Sequence, residues 1–533
     1  MKLKLKKLAS LGLVLAMILT VCGACGGSSG SSGSSSGTGD TAEASVLKVG
    51  LDAEPNSLDP NVSSGEGSMF VLMSIYDRLW TFNADGEQQM CLAESYEYTG
   101  DLELTVKLRS DAKFSDGTQI TADDVLFTMQ YGNTQASAVR VLGSIDVANC
   151  RADDATTLVI ALNNTDPCLL ENLALLDVLE KAACSDGNGG YNSDAINVNV
   201  VASGAYMVQT WSSGVGITLV KNPNYYNADK LKYDTIEVSF IGEENTRLLD
   251  FESGNYDIIY LSNSDNIDSI SNGEVSNASL YTVNIQSIGG FVMNTIDFDT
   301  FQDANVRLAI AHALNIPEMV NTICGSAYRV ATSTLLPAAN WAYEQIGDES
   351  TGVYSYDPDL AREYLAKAGY GEGELTFTCR IMDQDYNKAL AEAAQAYLAD
   401  VGIDMKVDVG DAATVMSEMI GNQISFGWSN YMGSYDPAGL INSRLDSAPA
   451  NLSKIGTPDL GTQALLVAAC TSTEDQSVRK PMFEQVQEEM YDLATWIPVY
   501  ESTVNYAVYN GVSDDLKSTT QADGYLYASN LYQ

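Results

Sequence analysis

Leu104-Thr-Val-Lys-Leu-Arg109-Ser-Asp-Ala-Lys-Phe114-Ser-Asp-Gly117-Thr-Gln-Ile-Thr121-Ala-Asp-Asp-Val125-Leu-Phe-Thr128 is the stretch from which the fold can be read. Leu104, Val106 and Leu108 alternate with Thr105, Lys107 and Arg109, the period of a strand with one buried face. A turn is expected at Ser115-Asp116-Gly117, where glycine takes a positive φ without steric cost. Thr121 then stands as an N-cap before Asp123 and Asp124, acids that oppose the helix dipole from its first turn. The spacing predicts a strand, a turn and a capped helix.

The same alternation continues on both sides. Strands are expected over 46–50, 216–220, 236–240 and 256–260, and helices near 70–76, over 245–252 and through the face formed by Val306, Ala309, Ile310, Ala313 and Leu314. Further helices are expected from Asp357 to a stop at Gly369, and over 479–491. Strands alternating with helices imply a mainly α/β protein. A chain of 533 residues is too long for one core and divides into two or three domains.

With 28 basic and 70 acidic residues the formal net charge is -42. Nucleic acid and anionic lipid are poor partners for such a surface, because both need basic patches that replace counterions. At the N-terminus, Lys2, Lys4, Lys6 and Lys7 precede an apolar run over 8–21, which is too short for a permanent membrane span and reads as a signal peptide. Gly23-Ala24-Cys25-Gly26-Gly27 looks like a lipobox with Cys25 as the acylated residue, and Cys22, preceded by the bulkier Val21, is the rival. The Gly/Ser run over 26–39 reads as a flexible spacer between anchor and body. Its two G-x-S-x-G matches lie between no strand and helix and carry no catalytic meaning. The seven cysteines beyond Cys25 show no metal-ligand spacing and read as buried thiols; Cys168 with Cys184 is the one pairing to consider.

Leu108-Arg-Ser-Asp-Ala-Lys-Phe-Ser-Asp-Gly117 and Thr121-Ala-Asp-Asp-Val125 closely resemble the signature of the extracellular solute-binding proteins of the peptide/nickel type, which serve ABC importers. Ser57-Leu-Asp-Pro60, Tyr76-Asp-Arg-Leu-Trp80, Ser203-Gly-Ala-Tyr206, Lys221-Asn-Pro-Asn-Tyr-Tyr226 and Asp303-Ala-Asn-Val-Arg-Leu-Ala-Ile310 extend the resemblance over nearly the whole chain beyond the spacer. It implies a two-lobe, periplasmic-binding-protein-like (Venus flytrap) α/β fold with an extra subdomain in the first lobe. The expected division is a lipoprotein signal peptide over 1–24, anchor and linker over 25–45, lobe I over 46–80, 201–292 and 497–533, its subdomain over 81–200, and lobe II over 293–496. Residues 285–294 are expected to cross between the lobes, and Trp496-Ile-Pro-Val-Tyr500 to begin the return.

The resemblance further implies a monomeric, lipid-anchored receptor at the outer face of the cytoplasmic membrane, or in the periplasm of a cell with an outer membrane. Its partners would be a peptide or another small solute and the permease subunits of the importer, with no cofactor. Ligand contacts are expected from the loop bearing Ser64, Gly65 and Glu66, from Gly289 at the crossing, and from Gly427, Trp428, Ser429, Asn430, Tyr431, Tyr435 and Asp436 in the segment that resembles the family's cleft. In many peptide-binding relatives an aspartate three residues after the tryptophan of Gly-Trp pairs with the ligand's amine. Here that position is Tyr431. Asp436 either reaches the amine in its place or caps the turn ahead of Pro437. Trp428, Tyr431 and Tyr435 offer flat faces for stacking or packing, so oligosaccharides or other non-peptide solutes are the alternative cargo.

A secreted hydrolase is the remote alternative. The one histidine, His312, lies inside the apolar helix at 306–314 and would have to serve any Ser-His-Asp triad alone. Ser477-Val-Arg-Lys480 and Ser264-Asp-Asn266 match penicillin-binding motifs in reversed order, with no Lys-Thr-Gly. Asp383-Gln-Asp-Tyr-Asn387 opens like a calcium loop but has Lys388 where glycine is needed and Ala394 where glutamate is needed. The expectation is a binding protein, not an enzyme.

Overall fold

Glu103–Leu108 forms a strand whose Leu104, Val106 and Leu108 are buried. Gly117 turns the chain at φ +93°, with its N–H donating to Phe114 O at 2.9 Å. The helix Ala122–Gly132 follows. Asp124 closes its first turn, one carboxylate oxygen accepting from the Thr121 N–H at 2.9 Å and from its hydroxyl at 2.7 Å. The computed structural model describes residues 45–512 except 64–65, 84–85, 136–138, 188–189, 193–195, 198–199, 384–385, 433–435, 441–459 and 474.

This strand is inner in a four-stranded antiparallel sheet, in the order Ala93–Gly100, Glu103–Leu108, Thr157–Ala161, Arg151–Asp154. The helix lies over it, and Leu104, Val106, Phe114, Val125, Leu158 and Ile160 share one apolar core. That core is separate from the larger ones that follow.

Eleven strands make the main sheet: β1 (Val46–Leu51), β2 (Tyr206–Ser212), β3 (Gly216–Lys221), β4 (Thr235–Phe240), β5 (Ile258–Leu261), β6 (Ala278–Met293), β7 (Tyr328–Val330), β8 (Leu375–Met382), β9 (Ile403–Gly410), β10 (Phe426–Met432) and β11 (Trp496–Tyr509). Their order is β9-β8-β10-β6-β11-β5-β1-β4-β3-β2, with β7 also on β11. Two strands are far longer than the rest, and both run through two cores. In one, Leu47, Val49, Tyr206, Ile236, Val504 and Val508 pack together. In the other, Phe291, Met293, Ile310, Ile381, Phe426, Ile497 and Val499 do so.

Between the cores the pairing of β6 with β11 slips. Asn284 opposes Thr503 and Ile288 opposes Glu501, so three residues of β6 face Ser502 alone. Such a bulge bends and twists the ribbon between the two cores. A second shift falls at Pro498, which has no N–H to give to the ladder and is tolerated at an irregularity. Beyond the bulge the strands approach closely at glycine. A Cβ on Gly290 would sit 2.2 Å from Ile497 O, and one on Gly289 2.5 Å from Asn430 Oδ1. Gly290→Ala is expected to destabilise the protein by about 1–3 kcal/mol through this overpacking. Urea unfolding reads it as a lower midpoint at unchanged m-value; an unmoved midpoint would contradict the close approach.

The seven cysteines of the described residues are free, and all but Cys91 are buried. The pairing of Cys168 with Cys184 is not made: Cys168 packs beside Val292 and Trp496, Cys184 in the core of Leu47 and Ile236. His312 is buried, with Nδ1 2.9 Å from Ser355 O and its ring stacked on Tyr364.

Candidate ligand-binding site

β10 is held on one side and open on the other. It pairs with β6 over its whole length, from Phe426 opposite Met293 to Met432 opposite Ser287. Its partner on the other side, β8, meets it only at Phe426 and Gly427, then stays with β9 through Met382. Gly427 permits that junction, because a Cβ there would stand 2.8 Å from Arg380 O. From Trp428 to Met432, no strand among the described residues covers the second edge of β10. A sheet edge that no strand covers can take up an added strand through backbone N–H and C=O groups.

Side chains alternate between the two faces of β10. Trp428, 5% exposed, sets its ring edge-on to Phe291 at 5.0 Å and donates from Nε1 to Asn430 Oδ1 at 2.8 Å. Tyr500 donates to the same oxygen at 3.2 Å. Tyr431, 7% exposed, meets Trp496 edge-to-face at 5.0 Å. Ser429 is half-buried and Asn430 exposed. Gly289 and Gly427 thus serve close backbone approach, Trp428 and Tyr431 pack into cores, and Asn430 ties β10 to β11. Glu66 opens the helix Glu66–Ile75. Ser64, Gly65, Tyr435 and the lipobox Cys25 lie outside the described residues.

Asp436 departs from the ligand role the sequence offers it. It is 2% exposed and faces Arg479, which is 0% exposed. Arg479 Nη1 donates to Oδ2 at 2.8 Å and Nη2 to Oδ1. Oδ1 also accepts the Ala438 N–H at 2.8 Å, so the turn-capping alternative is realised and the carboxylate is taken from within the protein. A ligand amine would have to displace a bidentate guanidinium, the strongest partner a carboxylate commonly has. Arg479, in helix Gln476–Leu493, also donates from Nε to Ala469 O at 2.8 Å and lies over the Trp341 ring at 5.5 Å.

Residues the sequence did not offer as ligand contacts complete this corner. Cys168 precedes a short helix, α1 (Leu169–Leu173), which packs beside the four-stranded sheet. The Cys168 thiol reaches across to Asp436, 3.7 Å from Oδ1 and 3.9 Å from the carbonyl oxygen. Glu171, on the same helix, has its carboxyl pushed up to about 8, first by burial and then by the charge of Asp436. Its Oε2 is sealed from solvent without a hydrogen-bond partner. Beside the β6–β11 bulge, burial likewise raises the carboxyl of Glu501, which accepts the Ala338 N–H at 3.1 Å.

A family model of the bacterial extracellular solute-binding proteins, family 5 Middle, matches residues 87–451. The oligopeptide-binding protein OppA of Bacillus subtilis is 23% identical over 564 residues, covering 98% of this chain and 98% of its own. Among solved structures, the periplasmic binding protein DppA from Helicobacter pylori in complex with the peptide STSA superposes with a TM-score of 0.72 at 23% identity, covering 91% of this chain and 97% of that one. NikA from Brucella suis in complex with Fe(III)-EDTA superposes at 0.78 and 22% identity, covering 92% and 99%. Both likenesses confirm the fold expected from the sequence.

Proposed function

This chain belongs to the bacterial extracellular solute-binding proteins of family 5, and from that membership we propose that it captures oligopeptides or dipeptides between two closing lobes and delivers them to the permease of an ABC importer. Lobe I comprises 46–80, 201–292 and 497–533 with a subdomain over 81–200, and lobe II comprises 293–496. The protein works outside the cytoplasm as a monomer, tethered by a lipid on Cys25.

The observation that carries the peptide reading is the edge of β10 from Trp428 to Met432, which no strand of the described residues covers. A peptide in extended form can continue that sheet with its own N–H and C=O groups, which gives affinity independent of side chains. The relative named for oligopeptide binding, matched from end to end, supports the same cargo. Tyr431 turns its ring to Trp496, which leaves it poorly placed to stack on a sugar. Closure follows from differential affinity: a ligand that touches both lobes binds the closed form better and shifts the population toward it.

Calorimetric titration with unmodified tripeptides and with the same peptides N-methylated at an internal amide tests the reading. Methylation is expected to weaken binding about tenfold, the worth of one or two lost backbone hydrogen bonds. Silence toward all peptides alongside a response to oligosaccharides would replace the cargo and keep the architecture.

A further inference from the structure

Asn430, Gly289 and Tyr500 stand in a row across β10, β6 and β11: Asn430 opposes Gly289, and Gly289 opposes Tyr500. Gly289 puts no side chain in the middle of that row, so the amide of Asn430 meets the phenol of Tyr500 over it. A Cβ at 289 would stand 2.5 Å from Asn430 Oδ1 and 2.7 Å from the Tyr500 ring. Trp428, two residues before Asn430 and therefore on the same face of β10, donates from Nε1 to that oxygen at 2.8 Å.

These contacts decide which way the amide is turned. An indole N–H can only donate, so the amide atom it meets has to be the oxygen. The Tyr500 hydroxyl, donating at 3.2 Å, takes the second lone pair. The oxygen is thus used up by two side chains that are 5% and 1% exposed, and the NH2 is left at the outer end of a side chain that is itself exposed. Among the described residues that NH2 has no acceptor. It lies on the strand whose second edge no described strand covers from Trp428 to Met432.

We propose that Asn430 is a specificity-determining residue: its NH2 donates to an acceptor oxygen on a side chain of the bound peptide, so that an acidic or amide side chain is favoured at one ligand position and a basic one disfavoured there. The proposal rests on the peptide reading above. A strand added at the edge of β10 has its residue opposite Asn430 on the same face, with the two Cβ atoms about 4.5–5.5 Å apart, which is within reach of a side-chain hydrogen bond. Backbone groups of the two strands meet in the plane of the sheet, whereas side chains stand out of it, so Asn430 reads the ligand's side chain and leaves its main chain to β10. An ammonium or guanidinium in that place would find only N–H groups, because the amide oxygen is already occupied.

Calorimetry on the full-length protein in detergent, at about 0.15 M salt to screen distant charge, tests this with alanine tripeptides that carry one glutamate or one lysine at the first, middle or last position. The formal net charge of -42 favours lysine at every position, so the readout is how the glutamate-to-lysine affinity ratio at each position changes between wild type and variant. Asn430→Asp keeps an oxygen for Trp428 and Tyr500 and exchanges the donor for a second acceptor. It is expected to lower the ratio about tenfold or more at one position, the worth of a hydrogen bond to a charged group, and to leave the other two within about threefold. Should N430D melt early, Asn430→Ala must lower the ratio at a single position in the same sense. An equal change at all three positions reports general charge and overturns the assignment. Ratios that neither variant moves, in a protein that binds these peptides, overturn it too and leave the peptide cargo standing. A wild type that binds none of them overturns the cargo and the assignment together.

Discussion

Arg479→Met is expected to lower stability by about 3–5 kcal/mol, the usual cost of stripping one partner from a fully buried ion pair. Arg479 is 0% and Asp436 2% exposed, so water cannot replace the guanidinium, and the carboxylate loses its cationic partner while keeping the Ala438 N–H and the weak Cys168 thiol. The effect should reach past the pair. Asp436 fixes the turn at residues 437–440, and Cys470 Sγ lies 3.9 Å from Pro437 O on the far side of that turn. Urea unfolding followed by tryptophan fluorescence measures the loss. The double variant Arg479→Met, Asp436→Leu should recover most of it, because removing both charges leaves no uncompensated ion. A single variant within about 0.5 kcal/mol of wild type would place it in the range of ordinary surface substitutions and refute the buried pair.

Trp428→Ala should lose a comparable amount, about 3–5 kcal/mol, as large aromatic truncations in cores do. Its ring lies against Phe291 and 5.4 Å from the Tyr500 ring, and its Nε1 holds Asn430 Oδ1. The sequence offers Trp428 both as a stacking face for ligand and as packing, and the two roles separate experimentally. If packing dominates, Trp428→Phe recovers much of the stability and leaves peptide affinity nearly unchanged. A fall in affinity with normal stability would make the residue a ligand contact instead.

What could be read from the sequence divides by distance along the chain. The strand, turn and capped helix of 104–128 are legible because near neighbours decide each: alternation for the strand, Gly117 for the turn, Thr121 and Asp124 for the cap. The long strand β6 is legible only in part. Residues 285–294 stand out by their run of apolar and small residues, yet the strand begins at Ala278, because its pairing with Thr503 to Tyr509 is won from a segment more than two hundred residues away. The site is the least legible part. With 70 acidic residues in the chain, nothing local marks Asp436 as the partner of Arg479, which in the sequence reads as the start of a helix and the interior of a Ser-x-x-Lys match. Nothing marks Glu171 either; its neighbours Leu169, Leu170 and Asn172 give a short helix and no sign that burial and the charge of Asp436 would raise its carboxyl.

The place of β11 in the sheet also governs when the protein can exist at all. It lies between β6 and β5 and carries β7 as well, yet it is the last strand of the described chain to be made. Until residues 496–509 emerge during synthesis, the strands β5, β1, β4, β3 and β2 have no link through the sheet to the rest, and the pairing that joins them, Ile258 with Val508, closes about 250 residues of chain. Long-range closure of this kind is slow. The main sheet therefore cannot join until residues 496–509 have been made.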